Sequence, residues 1–141
     1  MEDYPTHYLG KTSRGLRFWA YETFVFSKPY HEIKQGEDWR LFRKEYILLH
    51  KFNRWGRHLG TDYWFAGATA ECDNQLMAKK LGDMINTLGK VKYCDIKISL
   101  FQTLIDGVIF GLLADGNSTS IVLQPSSTIS FQPPWDGEYY T

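Results

Sequence analysis

A chain of 141 residues with 43% apolar and 23% charged residues is long enough to close one core without disulfide or metal support. Two cysteines, Cys72 and Cys94, are too few for a disulfide scaffold, and the longest strongly apolar stretch, residues 108–114, falls far short of a membrane-spanning helix. The net charge is zero but segregated: all 16 Lys and Arg lie in residues 1–97 with 12 of the 16 acids, a surplus of +4, and residues 98–141 hold four acids and no cation.

The opening decapeptide MEDYPTHYLG carries two acids, a proline and no apolar run, so it does not read as a secretory signal and the expected location is cytoplasmic. Gly10-Lys11-Thr12 resembles the end of a phosphate-binding loop. Pro5 stands where that loop needs a glycine and supplies no backbone donor, so the tripeptide reads as a turn. Residues 15–27, GLRFWAYETFVFS, predict a strand with apolar groups on both faces, central in its sheet or covered on both sides. Glu22 sits inside that run, where an ionised carboxylate is costly without a partner. An edge position or an ion pair with an arginine of the next element accounts for it; a pocket carboxylate of raised pKa is the functional alternative.

Over residues 37–58, Trp39, Phe42, Tyr46, Leu49 and Asn53 recur at spacings of three and four, with cations between them. That period predicts an amphipathic helix, with acids Glu37 and Asp38 at its start. A strand over Tyr46–Phe52 competes, because YILLHKF is a short apolar run that periodicity cannot settle. From Lys34 to His58 there are seven Lys and Arg against three acids. On the helix, Arg40, Arg43, Lys44, Lys51, Arg54, Trp55 and Arg57 make a basic, aromatic-bearing face, the first candidate for partner binding. It is either a solvated face or protein interface, or a contact for phosphates and bases.

Residues 62–70 predict a short strand. Asp73 then offers an N-cap to a helix whose apolar face is Met77, Leu81, Met84, Ile85 and Leu88, with Gly89 just past its end. Cys94, Ile96, Ile98 and Leu100 alternate with Tyr93, Asp95, Lys97 and Ser99, the pattern of a half-buried strand. Residues 103–114 read as one strand broken by Gly107 and Gly111, with bulges or a close backbone approach. Residues 115–118 read as a turn, 120–124 as its partner strand and 127–132 as a last strand before Pro133-Pro134. In the acidic tail WDGEYYT, Trp135, Tyr139 and Tyr140 are a second candidate contact group. The fold expected for residues 1–141 is a single α+β domain: a mixed or antiparallel sheet of about five or six strands, with two helices packed on one face.

Catalytic signals are weak. His7, His31, His50 and His58 show no helical metal spacing, and each cysteine stands alone, so neither metal nor cofactor is assigned. The Ser and Thr residues between Ser118 and Ser130 lack a nucleophile elbow. The leading expectation is a small binding protein that occupies another macromolecule, such as an immunity-type inhibitor that neutralises a toxin, with a protein partner, no membrane and room for a homodimer. The alternative is a domain that holds a nucleotide or nucleic acid on the basic helix face. A third reading is an enzyme with Glu22 or a histidine as its base.

Overall fold

The aromatic, β-branched run expected to be a central strand is one. A computed structural model describes residues 8–27, 32, 34, 36–114, 121–124, 130–131 and 138–139. In it β2 (Arg17–Phe26) lies between β1 (Tyr8–Thr12) and β3 (Arg43–Phe52). With β4 (His58–Ala68) and β5 (Val91–Tyr93) at the edges, they form a five-stranded sheet in the order β4-β3-β2-β1-β5. Each neighbouring pair is antiparallel.

The helix α1 (Asn74–Asn86) covers one face of this sheet. Asp73 caps it as expected: its Oδ1 accepts from Gln75 N at 3.0 Å and Leu76 N at 3.1 Å. Met77, Leu81 and Ile85 bury against Phe18, Ala20, Ile47 and Leu49. On the other face lies a second antiparallel sheet. After the short β6 (Ile96–Lys97), it is built from β7 (Phe101–Ile105), β8 (Val108–Ala114), β9 (Ile121–Gln124) and β10 (Ser130–Phe131), in the order β10-β9-β8-β7. Phe101, Ile105, Phe110, Leu112 and Leu123 pack on Trp19, Tyr21, Tyr46, Leu48 and Phe52. β11 (Glu138–Tyr139) pairs with β6. Strands β2 and β3 are thus covered on both faces, and each large side chain buried there contributes about 1.5–3 kcal/mol.

The helix expected over residues 37–58 is not formed. A 3-10 turn at Trp39–Leu41, capped by Asp38, leads straight into β3. Residues 45–50 are all buried, as a strand between two apolar layers must be. In such a run every position is occupied, so a spacing of three or four can be drawn through it without meaning. The competing strand was the right alternative, and the main sheet carries one helix rather than two. Its second face is covered by a sheet.

The single strand expected over residues 103–114 is a hairpin. Asp106 at φ 52° and Gly107 at φ 80° form a two-residue turn with both residues left-handed. Gly111 does mark a close approach: a Cβ there would run into the Phe101 carbonyl. The alternating strand of residues 93–100 is interrupted at Cys94–Asp95, so β5 joins the main sheet and β6 does not. Ile96 and Ile98 point inward as expected, but Leu100 is 45% exposed. The strand expected at 62–70 begins earlier, at His58. The turn at 115–118 lies outside the described residues. Among the described residues no helix is long and apolar enough to cross a membrane.

Candidate functional site: a basic groove at the end of the main sheet

Three turns converge at one end of the main sheet. Between β1 and β2, Thr12 Oγ1 accepts from Leu16 N at 3.2 Å and Arg14 N at 3.3 Å, which holds the tip in shape. Between β3 and β4, Asn53 Oδ1 accepts from Trp55 N at 2.9 Å and Arg57 N at 3.0 Å, an Asx turn. At the end of α1, Thr87 Oγ1 donates to Met84 O at 2.5 Å. Between them lies an open groove of about 870 Å³, lined by residues 12–16, 53–55, 59 and 87–90.

Among the described residues the lining carries three cations, Arg14, Arg54 and Lys90, and no acid. Trp55 is 73% exposed, and the Arg54 guanidinium lies 4.8 Å from its ring centroid. The surrounding segments extend the pattern. Residues 11–17, 53–59 and 87–93 together hold seven Lys and Arg and no Asp or Glu. None of the seven has an ion-pair partner among the described residues. The C-terminus of α1 opposes an anion here with about half an elementary negative charge. Three full positive charges outweigh it.

Of the residues expected from sequence, Arg54 and Trp55 line this groove, and Arg57 is exposed on the same turn. Arg40, Arg43, Lys44 and Lys51 are elsewhere. β3 runs away from the groove for ten residues, which puts Arg43 and Lys44 about 30 Å from Asn53. There Arg43 bonds Glu45 at 2.9 Å and stacks on Phe24 at 3.9 Å, while Arg40 is paired with Asp38 at 3.1 Å. Lys51 is paired with Asp62 at 3.1 Å, and Lys44 is exposed on the opposite sheet face from Arg43. Trp135 and Tyr140 lie outside the described residues. Tyr139 belongs to β11, but its side chain lies outside them too. Arg14 and Lys90 were missed by the sequence reading. Each is a lone cation on a turn, and only the fold brings them to Arg54.

Two further polar clusters are buried or half-buried. Glu22 is on a central strand opposite Ile47 and has no ion pair among the described residues, so neither an edge nor an arginine accounts for it. Burial, and then the Glu45 carboxylate, push its pKa up. Arg43 bonds Glu45 instead, and Thr69 Oγ1 donates to the same carboxylate. Beside them the Cys72 thiol, pushed up by burial and by Glu45, donates to the Ala66 and Gly67 carbonyls at 3.7 and 3.6 Å. A thiol held protonated in this way is a poor nucleophile. Between the sheets, a hydrogen-bonded chain runs Tyr21 Oη–His50 Nε2, His50 Nδ1–Thr61 Oγ1 and Thr61 Oγ1–His58 Nε2, each at 2.8 Å. Burial lowers the His58 pKa. His7 and His31 lie outside the described residues. Among the described residues, no three His, Cys, Asp or Glu side chains converge as metal ligands would.

Comparison with protein-family models, curated proteins and solved structures gives no match.

Proposed function

We propose that this protein works by binding another macromolecule through the basic groove, and that its partner is a phosphate-bearing strand, a single-stranded nucleic acid. One observation carries the reading. An exposed tryptophan stands among three cations, in a groove with no acid among the described residues of its lining. Phosphates answer the cations, and an unstacked base answers the indole. Stacking on an aromatic ring contributes about 1–3 kcal/mol per base and is indifferent to sequence. The groove is open, which suits a chain passing through better than a small molecule enclosed.

Anisotropy titration of a labelled oligothymidylate, repeated over a salt series, tests this. Binding should weaken steeply with salt. The triple variant R14A/R54A/K90A should lower the salt slope by about 2, at roughly 0.7 per phosphate contact on a single strand. W55A should weaken binding about 5- to 150-fold, the equivalent of the stacking energy. Absence of binding at low salt, or binding indifferent to the triple variant, overturns the proposal. The toxin-neutralising inhibitor is the other outcome. An acidic protein face would meet the same cations, and then a protein partner would bind while oligonucleotides would not.

A further inference from the structure

The turn that lines the groove is flanked by two more cations. Lys11 and Arg17 are direct cross-strand partners on β1 and β2, and Lys92 of β5 is the partner of Lys11 on its other side. Directly paired residues share a sheet face. Lys92, Lys11 and Arg17 therefore form one row, about 10 Å long at the usual strand spacing. The next residue in the row is Phe52. This is the face that bears Leu9, Trp19 and the second sheet, opposite the face that bears α1. The row begins where the groove ends: Lys11 adjoins groove residue Thr12, and Arg17 adjoins Leu16. Lys92 is two residues, at most about 7 Å, from Lys90.

Like charges directly opposite one another on neighbouring strands destabilise a sheet. This row contains two such pairs, and no acid stands in it. Lys11 and Lys92 are exposed. Arg17 is anchored: one guanidinium nitrogen, Nη1, donates to the Lys97 carbonyl, while Nε is buried with no hydrogen-bond partner among the described residues. A guanidinium already partly stripped of water attracts an anion more strongly than one in bulk solvent.

We infer that the row Lys92–Lys11–Arg17 is a second phosphate-binding track, so that a bound strand leaves the groove, rounds the end of the main sheet and continues on its opposite face. The inference rests on the groove reading and deepens it. The ligand is an extended strand, and a mononucleotide fills only part of the site.

The test uses oligothymidylates of about 4 and about 12 nucleotides, within the range of single-strand site sizes. The wild type should bind the longer strand more tightly. K11A/K92A, with both positions exposed and the Arg17 anchor intact, should lose that gain, lower the salt slope for the longer strand by about 1.4 and weaken the short strand much less than the longer one. Circular dichroism checks that the sheet is retained. An unchanged length gain and salt slope in K11A/K92A, with R14A/R54A/K90A still impaired, would overturn the second track and leave the groove standing. If the wild type binds neither strand, the groove reading itself fails, and the track with it.

Discussion

Tyr46 Oη donates a hydrogen bond of 3.0 Å to Asp106 Oδ2, and so ties the main sheet to the hairpin turn of the second. Burial, and then the Asp106 carboxylate, push the Tyr46 pKa up to about 12. Asp106 also occupies the left-handed backbone position of that turn, which asparagine tolerates and alanine does not.

Y46F should therefore cost about 1.5 kcal/mol, the lower end for a bond to a charged group, because Asp106 is exposed. D106N should cost less than D106A, since it keeps both an acceptor and the backbone preference. The pH dependence has a fixed sign. A phenol whose folded pKa is raised stabilises the fold fully below its unfolded value near 10, and that contribution is lost as the pH rises towards about 12. Urea denaturation at pH 8 and above pH 10 checks it: the gap between wild type and Y46F should narrow at the higher pH.

Thr61 has one hydroxyl proton to share between two imidazoles. If it donates to His58 Nε2, it accepts from His50 Nδ1–H, and His50 Nε2 then accepts from Tyr21. Protonating His58 places a proton on Nε2, and Thr61 Oγ1 must then accept from it rather than donate to it. T61V removes the link and leaves polar nitrogens facing a methyl group. It should cost about 1–3 kcal/mol in chemical denaturation. T61S, which keeps the hydroxyl, should recover most of that loss. Equal stability of T61V and wild type would show that the chain contributes nothing.

Glu22 should make the protein less stable at neutral pH than it would be with an amide there. Its folded pKa is raised, so the protonated form is favoured in the fold, and ionisation erodes stability as the pH rises from the model-peptide value of 4.5. E22Q should raise the melting temperature at pH 7, by less than about 1 kcal/mol in stability because the group is only partly shielded from solvent. The advantage should vanish below pH 4, where both side chains are neutral. Thermal unfolding at the two pH values decides it.

Local chemistry was legible in the sequence wherever a signal was local. Asp73 as a cap, the Met77–Leu81–Ile85 stripe and the two-faced apolar run of β2 needed no partner to be read. The Asp106-Gly107 turn was there to be read as well, between two apolar runs, and would have divided residues 103–114 into a hairpin. The β3 segment was different in kind. YILL is apolar at every position, and a strand buried on both faces has no period of its own. Whether it is helix or strand depends on what lies above and below it, and both layers come from residues more than 20 positions further along the chain.

Charge divides the same way. The sequence by itself determined that the cations stop at Lys97 and that Arg54 and Trp55 are neighbours. It placed Arg40, Arg43 and Arg54 on one helical face. Only the tertiary structure decided which cations meet. Antiparallel pairing sends Arg43 to one end of β3 and Arg54 past the other, and returns residues 11–17 and 87–93 to the Arg54 end. A basic site assembled from turns far apart in the chain has no sequence period, because what sets its spacing is the separation of strands across a sheet.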